Sequence, residues 1–279
     1  SSGVALSQLM MNTTRIVGPL VAGALIAFEP IHTSGTYFVM ACLFGMVVLV
    51  LSLKDATPPR PRANKTSVRI DLMEGFNYIR RTPDVRMVGL IFVGVVLSGF
   101  GYTTLMPGYL VNVLGHPSSH LGFIFSTAAI GGIVVNLALA TWPPKNSIGL
   151  MLFFGSGLAL SLALLSVAPG FGLALLVAAL LGASSSGFQL LNNVNLMERT
   201  DGAYLGRVMA LTMMAFGFNS IAAYPIGVVA DALGERTTLA GLSVACFTVI
   251  GLGVLTMRSA SGRQHLGARA AEAITTPGN

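Results

Sequence analysis

Gln189, Asn192 and Asn193 stand at i, i+3 and i+4 of one apolar run, so a helix there carries three amides on one face. Amides donate and accept hydrogen bonds but do not titrate, so this set can bind and cannot do acid–base work. Asn195, Ser184, Ser185 and Ser186 extend the polar content of the same run. Asn136, Asn219, Tyr102, Thr103 and Thr104 are further polar residues in apolar surroundings. Each has two readings, hydrogen bonding between helices or lining of a polar cavity. Gln189, Asn192 and Asn193 lie near one end of their run, which favours a gate over a central site.

A second stretch carries shape rather than reactivity: Arg15-Ile16-Val17-Gly18-Pro19-Leu20-Val21-Ala22-Gly23. Pro19 removes a backbone donor and crowds the preceding turn, so a helix bends there. Gly18 and Ala22 are four apart, a small-residue face that lets another helix approach closely. Arg15 is either a snorkelling anchor or an interior cation with a partner elsewhere.

The remaining chemistry is sparse. After Glu29 no carboxylate falls in the middle of an apolar run, and His32, His116, His120 and His265 fall in turns or the tail. Cys42 and Cys246 lie in apolar runs, which argues against a disulfide framework or a metal cluster. No Gly-Lys-Ser/Thr phosphate loop occurs. No catalytic set, no metal site and no cofactor are expected.

The elements that must hold these residues are set by composition. The chain has 279 residues, 53% hydrophobic and 9% charged, against about 25% charged in soluble domains. It reads as an all-α polytopic membrane bundle. Runs of about 20 apolar residues predict spans near 9–28, 37–53, 87–111, 121–141, 148–167, 171–197, 205–229 and 238–257. Residues 54–86 are polar, with Leu72, Phe76 and Ile79 on one face of a short interfacial helix. From Arg258 the chain turns polar and is expected to be disordered.

Lys and Arg sort the connections into two sets. Fourteen of the sixteen lie in 54–86, at Lys145, in the Arg199–Arg207 loop or in the tail, all on one side of the membrane. This basic side, called side one below, is cytoplasmic by the positive-inside rule, with both ends of the chain there. Arg236 lies on the opposite side, side two. The net charge of +6 is thus a topology signal and a lipid-facing rim rather than a nucleic-acid footprint.

Weak internal symmetry accompanies the topology. Ala5-Leu6-Ser7 resembles Ala210-Leu211-Thr212, Pro19 answers Pro225 and Ala41-Cys42 answers Ala245-Cys246, at offsets of 204 to 206. A repeat of six helices then makes the first two spans the counterparts of the last two. The chain, which does not begin with Met, is expected to be a fragment holding about eight of about twelve helices.

Four segments carry a family resemblance. The Arg15–Gly23 run is similar to the Gly-Pro motif of the fifth helix in exporters and antiporters of the major facilitator superfamily. Glu74-Gly75-Phe76-Asn77-Tyr78-Ile79-Arg80-Arg81-Thr82-Pro83 resembles the connector between halves in its enterobactin-exporter and macrolide-efflux-like branch. Gly206-Arg207-Val208-Met209-Ala210-Leu211 and the segment from Gly227 through Asp231 and Gly234 to Arg236 resemble that branch's last two loops. The turn from Trp142 to Ser147 lacks the charged Gly motif often found there.

The resemblance implies helices five to twelve of a major facilitator bundle. It divides the chain into 1–53 (end of the N-terminal half), 54–86 (connector), 87–258 (C-terminal half) and 259–279 (tail). It further implies a monomeric secondary active transporter of the bacterial cytoplasmic membrane, with a proton as coupling ion and lipid as surroundings. Apolar walls with scattered amides suit export of an amphiphilic drug, macrolide or siderophore-like molecule by alternating access. The alternatives are a membrane-embedded enzyme, for which the acids and histidines are poorly placed, and a non-transporting sensor on the same scaffold.

Overall fold

The computed structural model describes residues 32–53, 68–142 and 144–275. Arg15, Gly18, Pro19 and Gly23, the span near 9–28 and residues 54–67 lie outside the described residues. The helices are α1 (His32–Leu53), α2 (Val68–Arg81), α3 (Pro83–Gly99), α4 (Tyr102–Gly108) and α5 (Leu121–Thr141). They continue with α6 (Ser147–Val167), α7 (Phe171–Arg199), α8 (Leu205–Leu233) and α9 (Glu235–Thr275). No strand occurs among the described residues.

Among the described residues six apolar segments are long enough to cross a membrane: Pro83–Val113, Ser118–Thr141, Ser147–Val167, Phe171–Arg199, Leu205–Leu233 and Glu235–Thr256. Local chemistry sets their ends. Pro83 opens α3, where a missing N–H costs nothing. Asn146 Oδ1 accepts the Gly149 N–H at 2.9 Å to cap α6. Gly234, at φ +84°, closes α8 in a conformation that favours glycine. In Pro83–Val113 the π turn Tyr109–Val113 follows directly after α4, which contains Pro107.

α9 continues to Thr275, past the end of its apolar segment at Thr256.

The helices pack around α7, which lies against α5 on one flank and α6 on the other; α9 covers α6 and α3, and α3 leans on α8. Small residues make the closest seam. A Cβ at Gly131 would strike the Ala179 carbonyl, one at Gly182 the Ala128 carbonyl, and one at Gly132 Ser186 Oγ. Lipid tails are as apolar as Leu, so close backbone approach, rather than expulsion of water, holds such helices together. Phe92 stacks on Phe188 at 6.1 Å, and Phe216 meets Phe92 and Phe100 edge-on at 5.8 and 5.7 Å. Buried polar groups bridge the seams: Tyr109 Oη donates to Leu165 O and Ser243 Oγ to Ala159 O, both at 2.7 Å. α8 is the exception, burying only Val208, Thr212, Ala215 and Ala230 while Ile221 and Tyr224 stand exposed.

Candidate functional site

Gln189 and Asn192 of α7 are deeply buried and carry polar atoms without partners. Gln189 is 4% exposed and Asn192 0%, and Asn136 on α5 is 6% exposed. Asn136 Oδ1 and Nδ2, Gln189 Oε1, Asn192 Oδ1 and Nδ2, and Asn193 Oδ1 have no hydrogen-bond partner. Each such group costs about 1–3 kcal/mol if nothing satisfies it.

Helix geometry places these amides together. Ala128 faces Gly182 and Gly132 faces Ser186, four residues on in each chain direction, so α5 and α7 run parallel. Asn136 is one turn beyond Gly132 and Gln189 one turn beyond Ser186, so both sit about 5 Å farther toward side one. Asn193 continues the Gln189 row, and Asn192 is rotated about 60° from it. Asn136, Gln189, Asn192 and Asn193 thus stand at one level; Asn192, one turn beyond Phe188, shares the face that meets Phe92 of α3, about 100° round α7 from Gly182 and Ser186.

Two of the expected lining residues lie elsewhere. The Phe92, Phe188 and Phe216 rings share one level, and Asn219 stands one turn from Phe216 toward side two. That separates Asn219 from Asn192 by about 10 Å along the bundle. Tyr102, ten residues beyond Phe92, is about 15 Å nearer side two and is buried in the core. Thr103 Oγ1 donates to Phe100 O at 3.0 Å and serves its own helix.

Asn195 differs sharply from Asn192. Its Oδ1 accepts from Ser147 Oγ at 2.8 Å and Arg199 Nη1 at 2.7 Å, and its Nδ2 donates to Leu191 O at 2.8 Å. It ties α6 to the side-one end of α7. No periodicity separates it from its neighbour.

A clasp that the sequence reading missed closes side one. α2 meets α8 through Gly75, whose Cβ would come within 3.0 Å of Arg207 Cβ and 3.1 Å of Leu211 Cδ1. Arg207 Nε and Nη2 donate to Asp71 Oδ1 at 3.0 and 2.8 Å, and Nη1 lies 3.1 Å from Glu74 Oε2. Tyr78 stacks on Tyr204 with ring centres 4.5 Å apart, and the Asp201 N–H donates to Tyr78 Oη at 3.0 Å. A cleft of about 270 Å³ opens beside them, lined by Glu74, Asn77, Tyr78, Arg81 and Tyr204. Of the expected apolar stripe, Leu72 and Ile79 are half-buried while Phe76 points out at 60% exposure. The close approach at Gly75 and the Arg207 pairs set this rotation. The Asp71/Glu74 spacing on α2 was the available signal, but its partner is 136 residues away from Asp71.

Side two is also tied. Asn112 Nδ2 donates to Glu235 Oε1 at 2.5 Å, and Arg236 Nη2 to Ala168 O at 2.9 Å. Between the two fastened ends the amide layer offers hydrogen bonds, and among the described residues no group of three His, Cys, Asp or Glu could hold a metal ion.

Known proteins align with much of this chain. The Staphyloferrin A transporter of Staphylococcus aureus is 25% identical over 257 residues, covering 90% of this chain and 63% of that protein. The enterobactin exporters EntS of Shigella boydii and Escherichia coli are 24% identical over 254 residues, covering 90% of this chain and 59% of theirs. The chain therefore spans about 60% of the length of these relatives. No solved structure matches it. Residues 1–223 match the Major Facilitator Superfamily. That match takes in most of the chain, from before α1 into the middle of α8, and the chain belongs to the major facilitator superfamily.

Proposed function

We propose that the whole protein is a secondary active exporter of an amphiphilic small molecule, of drug, macrolide or siderophore type. The observation that carries this reading is the layer of buried, unpartnered amides set in apolar helices. Such a layer binds a polar group within an apolar envelope and releases it without chemistry. The names of the relatives, a siderophore transporter and siderophore exporters, support the substrate class.

Transport proceeds by alternating access, with the two halves rocking about the layer. Pro225 within α8 and Pro19 are then matched bends, and Arg15, Gly18 and Gly23 shape the facing helix. The exposed apolar flank of α8, with Ile221 and Tyr224, meets that other half. The basic side is cytoplasmic, the membrane is the bacterial cytoplasmic membrane, and the protein acts as a monomer. An ion gradient drives it. The family resemblance implies a proton; the acid carrying it lies outside the six described spans, which hold carboxylates only near their ends.

The test is accumulation of dyes, macrolides and siderophores in cells with and without the full-length protein, repeated after collapse of the proton gradient. Lower accumulation that is lost on collapse is expected. Equal accumulation for every compound would sink the exporter reading and favour a sensor on this scaffold.

A further inference from the structure

We infer that the outward face of α2 binds anionic phospholipid at the side-one surface of the membrane. Two adjacent rows make that face, Arg69-Met73-Phe76-Arg80 and Ile70-Glu74-Asn77-Arg81, each spaced i, i+4, i+7 and i+11. All eight residues are exposed, and each stands about 100° or more round the helix from Gly75, which packs on α8. Phe76 is 60% exposed, Met73 56% and Ile70 46%, so three large apolar side chains look away from the protein.

Position sets the surroundings of this face. Gly75 lies against Arg207 and Leu211, in the first two turns of α8, and only Thr82 separates α2 from α3. α2 is therefore held at the level where two membrane spans begin, among headgroups rather than in open water. At that depth an apolar side chain reaches the acyl boundary while a neighbouring arginine keeps its guanidinium at the headgroups. Met73 and Phe76, with Arg69 and Arg80 about 16 Å apart at the two ends of their row, have that arrangement.

Charge selects the lipid. Among the described residues the side chains of Arg69, Arg80 and Arg81 have no hydrogen bond or ion pair. Both acids of α2, Asp71 and Glu74, are taken by Arg207. Arg86, which donates to the Arg80 carbonyl, and Asp84 add one charge of each sign beside the turn. Three cations thus stand unmatched beside three apolar side chains, and anionic headgroups supply the missing charge at this depth. Arg81 and Asn77 also border the cleft of about 270 Å³ beside Tyr78 and Tyr204, so a headgroup phosphate meets guanidinium, amide and phenol donors there. The site depends neither on the transported molecule nor on the direction of transport.

The test places a bimane label at Met73→Cys in the full-length protein freed of its native cysteines, held in nanodiscs of equimolar phosphatidylcholine and phosphatidylglycerol. Bromine, a contact quencher, is carried on the chains of one lipid or the other. Brominated phosphatidylglycerol should quench more strongly than brominated phosphatidylcholine, with a local enrichment of about fivefold for each arginine engaged. Arg69→Gln, Arg80→Gln and Arg81→Gln together should bring the two lipids level, and high salt should do the same. Bimane at Phe153→Cys, exposed on α6, should be quenched alike by both lipids in every variant, which reports an intact and embedded fold. Equal quenching at Met73→Cys with all arginines present, or a preference that survives their loss, overturns the anionic site. Quenching by neither lipid, as when water or another part of the protein covers α2, overturns the lipid contact itself.

Discussion

Replacing Gly182 by Ala tests the α5–α7 seam most directly, because the new methyl group has nowhere to go. Its Cβ would fall on the Ala128 carbonyl, which is backbone and has no rotamer to yield. The helices must part, and overpacking of this kind costs about 1–3 kcal/mol. Helix propensity works the other way, since Ala in place of a helical Gly gains about 0.5–1 kcal/mol. The net expectation is a loss of about 0–2.5 kcal/mol. The control is Gly251→Ala on α9, where nothing lies within 4 Å of the added Cβ. There only the propensity term remains, so stability should rise by about 0.5–1 kcal/mol. The same chemical change should therefore differ by at least about 1 kcal/mol between sites, or about 2–4 °C in Tm. Thermal unfolding of both variants in the same detergent measures this. Gly182→Ala matching or exceeding Gly251→Ala in stability would refute the close seam. Because Asn136 and Gln189 follow the Gly132–Ser186 contact by one turn, Gly182→Ala should also lose export below its unfolding temperature.

Three further outcomes are expected. Asn195→Leu should destabilise by about 1–3 kcal/mol, since it strands Ser147, Arg199 and the Leu191 carbonyl, while Asn192→Leu, which loses no hydrogen bond, should leave unfolding unchanged or raise its midpoint. Hydrogen exchange across Val68–Arg81 should speed up in Asp71→Asn and Arg207→Gln and stay unchanged in the exposed Phe76→Ser; equal protection in all three would mean that the Arg207 clasp does not hold α2. Cysteines placed at Ser118 and Lys145, both exposed, should react with an impermeant reagent from opposite faces of the membrane, and same-face labelling would overturn the topology.

The spans were legible because a bilayer imposes one simple requirement, about 20 apolar residues per crossing. The predicted span 121–141 coincides with α5, and 148–167 starts one residue inside α6. Face assignments were less secure. The spacing of Leu72, Phe76 and Ile79 describes a stripe on an isolated helix, yet Gly75 and the Arg207 pairs decide which way α2 turns.

The amides divide along the same line. From the sequence alone Gln189, Asn192 and Asn193 had to share a helical face, since 3.6 residues per turn allows nothing else. Asn136 joins them only because Gly132 and Gly182 bring α5 against α7, a contact between residues fifty positions apart. Asn195 and Asn192 are the same residue type three positions apart, one fully bonded and one bare. The difference lies in Ser147, which reaches Asn195 from α6, and Arg199, whose side chain folds back one turn. Composition and periodicity determine that these helices cross the membrane and which face of each is polar, because bilayer thickness and helical pitch act within one segment. Which polar groups find partners is decided by the neighbouring helix, so only the tertiary structure separates a structural amide from a free one.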